Sequence, residues 1–503
     1  MTPVESDHMI IWGWTGLSHD ASLSVFSKAD NLKLLWSAHS ERYTRVKNDA
    51  ELNYTILQEA LQWGDPQRIY YYENPWWKKT RQLYAGQYNQ LTSISPTKHM
   101  RNFYTDAPRS QYTSHHLSHA AAGYYTAPFN NTAVLVIDSI GEWNTTSIWS
   151  GRDNKLKRKW SQNYPHSIGI WYSAMTQRIG LKPQEHEYIL MGMAAIGDAN
   201  KYYDLIKMDF IKQMPSLKDP RTVFKRNCHR GCLDWRTDLN SEQDYADIAA
   251  ATQRIYEEIL NILLISAQVL TNQENIVIMG GCALNCVANS QAHKYFKDVW
   301  IMPNPGDAGS SVGCVLAHEQ THIKFSSAYL GHDIQGEYPV KDVIQQLKKH
   351  KIAAVASGKA EFGPRSLGNR SILADPRGSD VKDRVNKLKK REPFRPFAPA
   401  ILAEYASNYF DGVTGPYMQY TAKCKQPDEF PAIIHSDGTS RVQAVSKDDT
   451  SGFRKLLEAW YAETGCPMLL NTSLNIRGEP LVNTRQDAQR WTKNYGVQVC
   501  LPK

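Results

Sequence analysis

The sequence lacks segments that would anchor or export the chain, and it has little cysteine. No run of about 18 apolar residues occurs in its 503 residues, and the opening MTPVESDHMII has no basic stretch followed by an apolar one. Only eight cysteines are present, several inside apolar segments, which indicates buried reduced thiols rather than a disulfide framework. These absences predict a cytoplasmic protein that makes no use of a membrane.

Several familiar motifs are also missing. The sequence has no internal repeat, heptad array, P-loop or dinucleotide-binding fingerprint. The glycine-rich pieces MGGCALN and PGDAGSSVG do not have the glycine spacing of either nucleotide-binding motif. Their backbone amides could still bind phosphates, and simple turns are an equal alternative. Cys228, His229 and Cys232 in NCHRGC lack a second Cys/His pair, so a zinc site is not favoured there.

The size of the chain and a change in its composition predict two domains. With 42% hydrophobic residues, the chain is long enough for two or three cores, since one core rarely exceeds about 250 to 300 residues. SSAYLGHDIQGEYPV is typical of a linker, and DVIQQLKKHKIAAVASG then predicts a helix and a strand. We expect domains over 1–335 and 336–503. The net charge of +8 suits anionic substrates or nucleic acid without requiring either.

Three N-terminal segments predict strands that end in polar residues or glycines. MIIWGWTGLSHDASLSVFS predicts a β-hairpin with His19 and Asp20 at its turn, TAVLVID ends at Asp138, and ENIVIMGG ends at Gly280 and Gly281. YADIAAATQRIYEEILNILLISAQVL predicts a long helix that packs on a sheet. The chain is therefore expected to be an α/β protein, in which ligands bind at strand ends.

The histidines of TSHHLSHAAAGYY are candidate metal ligands. In a helix, the spacing of four places His115 and His119 on one face, whereas His116 points elsewhere. Asp138 and Asp307 are the natural carboxylate additions, and such mixed ligation suits Fe(II), Mn or Zn. Ordinary core or surface histidines are the alternative, because spacing alone does not bring the four residues together.

His19 is a candidate general base, since a neutral imidazole accepts a proton near pH 7. Its neighbour Asp20 is not expected to orient it, because adjacent residues of a strand point to opposite faces. A turn histidine with no catalytic role is an even alternative.

The C-terminal part predicts an anion pocket. Arginines stand there among glycine, proline and apolar residues, and planar guanidinium groups match phosphate or carboxylate oxygens in pairs. Structural arginines bound to carbonyl groups are the alternative for some of them. The candidate residues are Arg365, Arg370, Arg395, Arg441, Asn471, Ser473 and Asn475.

Ten motifs in order, from about residue 10 to about residue 482, resemble the O-carbamoyltransferase family, which includes the tobramycin, cephalosporin-pathway and nodulation-factor enzymes. They are GLSHDAS, SERYTRVKND, HHLSHAAAGYYTAP, VIDSIGEW, MGGCALNCVANS, GDAGSSVG, EFGPRSLGNRSILADPR, FRPFAPAIL, DGTSRVQAV and LLNTSLNIRGEPLV.

The resemblance implies a two-step reaction on two domains. A C-terminal YrdC-like α/β domain would form carbamoyladenylate and pyrophosphate from carbamoyl phosphate and ATP. An N-terminal actin-like ATPase-type domain, similar to the one that forms threonylcarbamoyladenosine in tRNA, would pass the carbamoyl group to a hydroxyl. Fe(II) or another divalent metal, and Mg, are the implied ions.

The resemblance also implies residue roles. His115, His119 and Asp307 would bind iron with Asp138 beside the metal or nucleotide, and His19 would be the base. The nucleotide site would contain Asp138, Gly280, Gly281, Asn285 and Asp307, and the carbamoyl phosphate site would contain Arg365, Ser366, Arg395, Arg441, Asn471 and Ser473. Two positions depart from the family pattern: Ile189 replaces a lysine and Ser366 an alanine.

The sequence leaves the acceptor and the oligomeric state open. RIYYYENPWWKKTRQLYAGQY has the composition of a stacking platform with phosphate contacts, of a sugar-binding surface, or of a core under a basic face. A hydroxymethylated pyrimidine nucleotide or DNA would supply the required hydroxyl. The alternatives are a sugar or antibiotic-like acceptor, a tRNA threonylcarbamoyl transferase, and a catalytically silent nucleic-acid-binding relative.

Overall fold

The computed structural model describes residues 8–88, 91 and 95–503. The first seven residues of the opening MTPVESDHMII, for which no export signal was predicted, lie outside the described residues. The chain divides into two compact units, Met1–Ser40 with Ala50–Phe325, and Glu41–Asp49 with Ser326–Lys503. The predicted boundary at 335 falls inside the second unit. No helix in the described part of the chain is long and apolar enough to cross a membrane.

The first unit contains two large sheets and a small ribbon, surrounded by helices. Its strands are β1 (Met9–Thr15), β2 (Ser22–Lys28), β3 (Leu32–His39), β4 (Arg68–Tyr71), β5 (Ser110–Tyr112), β6 (Thr132–Gly141), β7 (Asn144–Arg152), β8 (Lys155–Asn163), β9 (Ile211–Gln213), β10 (Val223–Phe224), β11 (Asn275–Met279) and β12 (Asp298–Trp300).

The α-helices along this part of the chain vary from one turn to thirty residues. They are α1 (Glu41–Thr44), α2 (Tyr54–Leu61), α3 (Pro75–Tyr84), α4 (Pro96–Arg101), α5 (His115–Thr126), α6 (Ile168–Arg178), α7 (Glu187–Met193), α8 (Tyr203–Phe210), α9 (Glu242–Thr271), α10 (Cys286–Asn289) and α11 (Ser310–Glu319). Helix α1 lies in the segment that belongs to the second unit.

The two large sheets have the same topology. Their strand orders are β3-β2-β1-β4-β5 and β12-β11-β6-β7-β8. In each, three consecutive antiparallel strands are followed by two parallel ones. The first unit therefore contains a structural repeat that the sequence does not display.

Helices α5 and α11 pack against each other and against the two sheets, α5 on β6 and β11 and α11 on β1 and β4. Glycine permits the close approach of the helices, because a Cβ atom at Gly313 would lie 1.8 Å from the Ser118 carbonyl oxygen. This packing brings the start of α5 close to the turn that precedes α11.

The predicted secondary structure of the first unit is confirmed in its main elements. The N-terminal hairpin is β1 with β2, the TAVLVID strand is β6, and the ENIVIMGG strand is β11. The predicted long helix is α9, which begins with a capping box between Ser241 and Asp244 and ends at the left-handed Asn272.

The second unit contains a six-stranded sheet with smaller sheets beside it. Its strands are β13 (Tyr329–Ile334), β14 (Ile352–Ala356), β15 (Gly358–Glu361), β16 (Arg370–Ala374), β17 (Ala398–Leu402), β18 (Phe410–Asp411), β19 (Ala422–Cys424), β20 (Thr439–Ser440), β21 (Gln443–Val445), β22 (Met468–Ser473) and β23 (Val499–Cys500). Its further helices are α12 (Val340–His350), α13 (Val381–Lys389), α14 (Ala406–Tyr409), α15 (Phe453–Thr464) and α16 (Arg485–Tyr495).

The large sheet of the second unit, in the order β21-β17-β22-β16-β14-β23, separates two apolar cores. Alternate residues of its strands face opposite cores, as Ala354 and Val355 of β14 do. The helix and strand predicted from DVIQQLKKHKIAAVASG are confirmed as α12 and β14. The prediction of a linker before them was wrong, because β13 occupies that segment and pairs with β15.

The segment Glu41–Asp49 is held in the second unit by its arginines. The Arg42 guanidinium is buried and donates to the carbonyl oxygens of Glu361 and Gly363, the latter at 2.7 Å. Arg45 donates to the carbonyl oxygen of Leu481 at 2.5 Å. The C-terminal core thus includes a segment from the start of the chain, which the sequence did not predict.

Candidate active site

Four side chains that could bind a metal converge inside the first unit. His115 and His119 lie at the start of α5, Asp138 near the end of β6, and Asp307 before α11. One ligand atom of each lies within 4.8 Å of the others, and all four residues are buried. No other group of this kind occurs among residues 8–88, 91 and 95–503.

The interatomic distances show a compact set of donors. His115 Nε2 lies 3.1 Å from both Asp138 Oδ2 and His119 Nε2, and His119 Nε2 lies 3.1 Å from Asp307 Oδ1. Two imidazole nitrogens and two carboxylates that face a common centre form a set that suits Fe(II), Mn(II) or Zn(II). The residues present therefore fit the divalent metal that the resemblance implies.

The electrostatics of this cluster also favour a cation. Burial by itself would lower the pKa of His115, but the carboxylates of Asp307 and Asp138 raise it well above its ordinary value. Burial would raise the pKa of Asp307, but the facing His115 and His19 hold it well below the usual range. A divalent ion at the cluster would displace the proton of His115 and would place its own positive charge beside the carboxylates.

Local backbone features fix the position of His115. Its N–H donates to Glu142 Oε1 at 3.3 Å, and the N–H of Asn74 donates to the same oxygen at 2.6 Å. Gly141 lies directly against the imidazole ring, where a Cβ atom would approach to 2.0 Å. Glu142 was not among the residues predicted from the sequence, because only the tertiary structure brings it to the first residue of α5.

His116 is directed away from the metal cluster, as predicted. Its Nδ1 lies 2.7 Å from Ser147 Oγ, and burial together with the nearby His115 lowers the pKa of His116 to about 3. It is therefore a neutral structural residue.

His19 lies in the loop between β1 and β2, beside the metal cluster. Its Nε2 is 3.4 Å from Asp307 Oδ2 and its Nδ1 is 3.3 Å from Asp20 Oδ2, while its side chain is 48% exposed. The expectation that Asp20 would not orient His19 was wrong, because the pair lies in a loop where Asp20 has a φ of +51°. Desolvation lowers the pKa of His19, but Asp307 and Asp20 together raise it to about 9.

The glycine turn after β11 also reaches the cluster. The Gly281 N–H donates to Asp138 Oδ1 at 3.1 Å. Gly280 has a φ of +90°, and a Cβ atom there would lie 2.2 Å from the carbonyl oxygen of Ile137. Asn285 lies further along, where its side chain exchanges two hydrogen bonds with Gln253 at 2.9 and 3.1 Å.

A second polar site lies on the large sheet of the second unit. The side chain of Asn471 donates to Gln443 Oε1 at 2.7 Å and to the Ser366 carbonyl oxygen at 3.3 Å. Asn471 Oδ1 and Arg441 Nε are buried and have no hydrogen-bond partner among the described residues. One unpaired acceptor and one unpaired donor are what a polar ligand would satisfy.

Lys389 contacts Ser473 on the same strand as Asn471, and it was not among the residues predicted from the sequence. Its Nζ donates to the carbonyl and hydroxyl oxygens of Ser473, and to the carbonyl and side-chain oxygens of Asn475 at 2.9 and 3.0 Å. Burial, with Arg391 and Arg395 nearby, lowers the pKa of Lys389 well below its ordinary value. A buried lysine that faces other cations favours an anion, and the signal in the sequence was its place in KKREPFRPF.

The other candidate arginines differ in role. Arg370 is fully buried and donates to five carbonyl oxygens, so it is a structural residue. This agrees with the structural alternative given for some of the arginines. Its acceptors are the carbonyl oxygens of His332, Ser357, Gly358, Asn369 and Asn483. Arg365 and Arg395 are partly buried, and Arg395 Nη1 lies 3.4 Å from Glu392 Oε2.

The aromatic segment 68–88 is divided between core and surface. Tyr70, Tyr71 and Tyr72 are buried, whereas the side chains on the outer face of α3 and just after it are exposed. The exposed aromatic residues are Trp76, Trp77, Tyr84 and Tyr88. The core interpretation therefore holds for the tyrosine run alone.

The remaining sequence features are structural. Cys228 and Cys232 are buried, and the Cys232 thiol contacts the Ala174 carbonyl oxygen at 3.0 Å rather than a metal-binding group. All eight cysteines are free, as expected. Ile189 is 1% exposed, so this position belongs to the apolar core.

Comparison with known proteins identifies the family. Residues 80–316 match the family model "Carbamoyltransferase N-terminus" and residues 344–501 match "Carbamoyltransferase C-terminus". An uncharacterized protein of Synechocystis sp. is 30% identical over 95% of this chain and 93% of its own. The 3'-hydroxymethylcephem-O-carbamoyltransferase of Amycolatopsis lactamdurans is 26% identical over 95% of both chains. The nodulation protein NolO of Bradyrhizobium diazoefficiens is 29% identical over 75% of both.

Solved structures resemble the chain only weakly. Component A of (R)-2-hydroxyglutaryl-CoA dehydratase from Acidaminococcus fermentans covers 62% of this chain at 12% identity, with a TM-score of 0.33 that is too low to assign a fold. The architecture is a mixed α/β one with several sheets. Given the two family models and the relatives that match nearly its whole length, the chain belongs to the carbamoyltransferase family and is a transferase.

Proposed function

We propose that the protein is an ATP-dependent O-carbamoyltransferase. From carbamoyl phosphate, ATP and water it forms carbamoyladenylate, phosphate and pyrophosphate, and it then passes the carbamoyl group to an acceptor hydroxyl with release of AMP. The observation that carries this proposal is the convergence of His115, His119, Asp138 and Asp307 beside His19, in a chain of the carbamoyltransferase family.

The metal centre is assigned to the first unit. His115, His119 and Asp307 would bind the divalent ion, Fe(II) as the first candidate, with Asp138 beside the ion or the nucleotide. When bound, the ion supplies Lewis-acid stabilisation of negative charge near the adenylate. Gly280 and Gly281 lie next to Asp138 and would approach the nucleotide with their backbone, and Asn285 follows them at the start of α10.

His19 is the base that removes the proton from the acceptor hydroxyl as its oxygen attacks the carbamoyl carbon. Its half-exposed ring is accessible to an acceptor, and Asp20 holds the ring through Nδ1. A base must be neutral, yet the carboxylate of Asp307 raises the pKa of His19 to about 9. A divalent cation held by Asp307 would offset that carboxylate and lower the pKa of His19.

The second unit is assigned to carbamoyladenylate formation. Asn471 Oδ1 would accept a hydrogen bond from the carbamoyl amide and Arg441 Nε would donate to the phosphate, while the Lys389 ammonium holds Ser473 and Asn475 in place and adds positive charge. The other residues assigned to this site are Arg365, Ser366, Arg395 and Ser473. Ser473 and Asn471 are supported by their place on one strand, β22.

We further infer an actin-like fold for the first unit and a YrdC-like fold for the second. The actin-like assignment is supported by the two sheets of equal topology in one unit. The YrdC-like assignment is supported by the mixed six-stranded sheet with helices on both faces and by the polar cluster at Asn471.

The acceptor is proposed to carry a hydroxymethyl group, with a hydroxymethylated pyrimidine in a nucleotide or DNA as the first candidate. The exposed rings of Trp76, Trp77 and Tyr84, with the Lys79 ammonium 5.3 Å from the Trp76 ring centre, form a surface on which bases stack. A sugar or antibiotic-like acceptor is the second candidate, favoured by the relative named as a 3'-hydroxymethylcephem carbamoyltransferase.

The test is a pyrophosphate-release assay with ATP, carbamoyl phosphate and Fe(II), across aminoglycosides, sugars, nucleotides and hydroxymethylated DNA. We expect release that one acceptor stimulates, with a mass gain of one carbamoyl group on that acceptor. The variant His19→Gln should retain basal pyrophosphate release and lose transfer, since only the second step uses the base. The proposal fails if no acceptor is carbamoylated and pyrophosphate release does not depend on carbamoyl phosphate.

A further inference from the structure

A buried ion pair lies next to the metal cluster, and the function described so far does not use it. Glu73 follows β4 and Lys78 lies on the inner face of α3, and Lys78 Nζ is 2.5 Å from Glu73 Oε1. The two side chains are only 3% and 6% exposed. Helix α3 thus buries charged side chains and exposes its tryptophans, the reverse of an ordinary surface helix.

Stability alone does not account for this ion pair. Desolvation of two charges offsets most of their mutual attraction, so replacing a buried pair by apolar residues is often neutral or stabilising. Removing one partner costs about 3–5 kcal/mol, because the other is left buried and unpaired. A pair that adds little to stability by itself, beside a metal cluster, points to a role in that cluster.

The second carboxylate oxygen of Glu73 faces the metal cluster. Glu73 Oε2 lies 3.8 Å from His115 Nδ1, and this nitrogen is buried and has no hydrogen-bond partner among the described residues. The opposite nitrogen, His115 Nε2, is the one that faces Asp138, Asp307 and His119. A shift of under 1 Å would allow Nδ1–H to donate to Glu73, as metal-bound histidines commonly donate to carboxylates.

The same pair also contacts the loop that carries His19. Lys78 Nζ donates to Ser18 Oγ, and the Tyr71 hydroxyl, 3.3 Å from Glu73 Oε1, donates to the Gly16 carbonyl oxygen at 2.7 Å. The network therefore joins the histidine loop to the first ligand of α5.

We propose that Glu73 is a positioning residue for the metal centre and that Lys78 holds the Glu73 carboxylate in place. Glu73 holds the proton of His115 on Nδ1 and fixes the ring, so that the Nε2 lone pair is directed at the ion. Lys78 holds the other oxygen of this carboxylate, Oε1, at 2.5 Å. This inference rests on the metal centre of the proposed function and adds the residues that orient its ligand.

The test is Co(II) binding to the full-length protein, measured by calorimetry and by the visible absorption of bound Co(II). We expect Glu73→Gln to weaken Co(II) binding by about 10- to 100-fold, the usual effect of losing a carboxylate behind a metal-bound histidine, and to change the absorption bands. Lys78→Met should act in the same direction. Lys155→Met, at an exposed lysine of β8, is the control and should bind Co(II) as the wild type does.

The double variant Glu73→Gln/Lys78→Met separates positioning from folding, because it leaves no unpaired buried charge. We expect it to unfold near the wild-type temperature without metal and still to bind Co(II) weakly. Recovery of full Co(II) affinity in the double variant, or unchanged affinity in Glu73→Gln, would overturn the role of Glu73 alone. A wild-type protein that does not bind Co(II) would overturn the metal centre as well.

Discussion

Gly141 lies against the ring of His115, and its replacement by alanine should disable the metal centre. The new Cβ atom would lie 2.0 Å from His115 Cδ2 and 2.3 Å from Cγ, whereas ordinary contacts are 3.4–4 Å. The ring must therefore move by more than about 1 Å, while metal–ligand distances tolerate only about 0.2 Å. Gly141 also ends β6, which restricts relaxation of the backbone.

The expected magnitudes follow from this displacement. Overpacking should lower the free energy of unfolding of the metal-free protein by about 1–3 kcal/mol. Co(II) affinity should fall by at least about 100-fold, since changes behind a ligand alone cost 10- to 100-fold and here the ligand itself moves. Calorimetric titration with Co(II) and thermal unfolding with chelator measure the two effects separately.

The matched control is Gly306→Ala, next to another ligand. Gly306 precedes Asp307, has a φ of −77°, and has no atom within 4 Å of its added Cβ. We expect this variant to bind Co(II) like the wild type. Wild-type Co(II) affinity in Gly141→Ala would refute the assignment of His115 as a ligand, and equal losses in both variants would refute the steric argument.

Three further predictions concern His19 and the second unit. In metal-free protein, the raised pKa of His19 implies stabilisation that is complete below about pH 6.5 and lost as the pH rises through about 9. His19→Gln should therefore lower the unfolding temperature at pH 6 and not at pH 10, and a constant difference would contradict this. Arg370→Met should lower the free energy of unfolding of the second unit by at least about 3 kcal/mol in urea, because it leaves buried carbonyl groups unpaired. The control Arg384→Met, at an exposed arginine, should change this free energy little. Lys389→Met should weaken carbamoyl phosphate binding in calorimetry at least tenfold, whereas the exposed Lys387→Met should not; equal binding by both would remove Lys389 from the site.

The sequence predicted those parts of the site that depend on local geometry. The spacing of four between His115 and His119 places both on one helix face, and the apolar run before Asp138 predicts a strand that ends in a carboxylate. Both features depend only on helix and strand periodicity. The orientation of Asp20 was mispredicted because the prediction assumed strand alternation. Asp20 is a left-handed loop residue, and such a residue does not follow that alternation.

The ordered motifs also indicated the family, because they carry the candidate site residues of both parts of the chain and not the pattern of a single helix or strand. They did not predict that Glu41–Asp49 packs with the C-terminal unit, where Arg42 and Arg45 donate hydrogen bonds to carbonyl groups far along the chain. The duplicated sheets were equally invisible, because their common topology lies in backbone pairing and not in residue identity.

By itself, the amino-acid sequence determined the main secondary structure, the helical pair of histidines and the membership of the carbamoyltransferase family. Only the tertiary structure decided that Asp138 and Asp307 meet those histidines, that Glu73 lies behind His115, and that Arg370 is structural. The physical reason is range: periodicity acts over a few residues, whereas these contacts join residues far apart in sequence and exist only after the sheets and helices have packed.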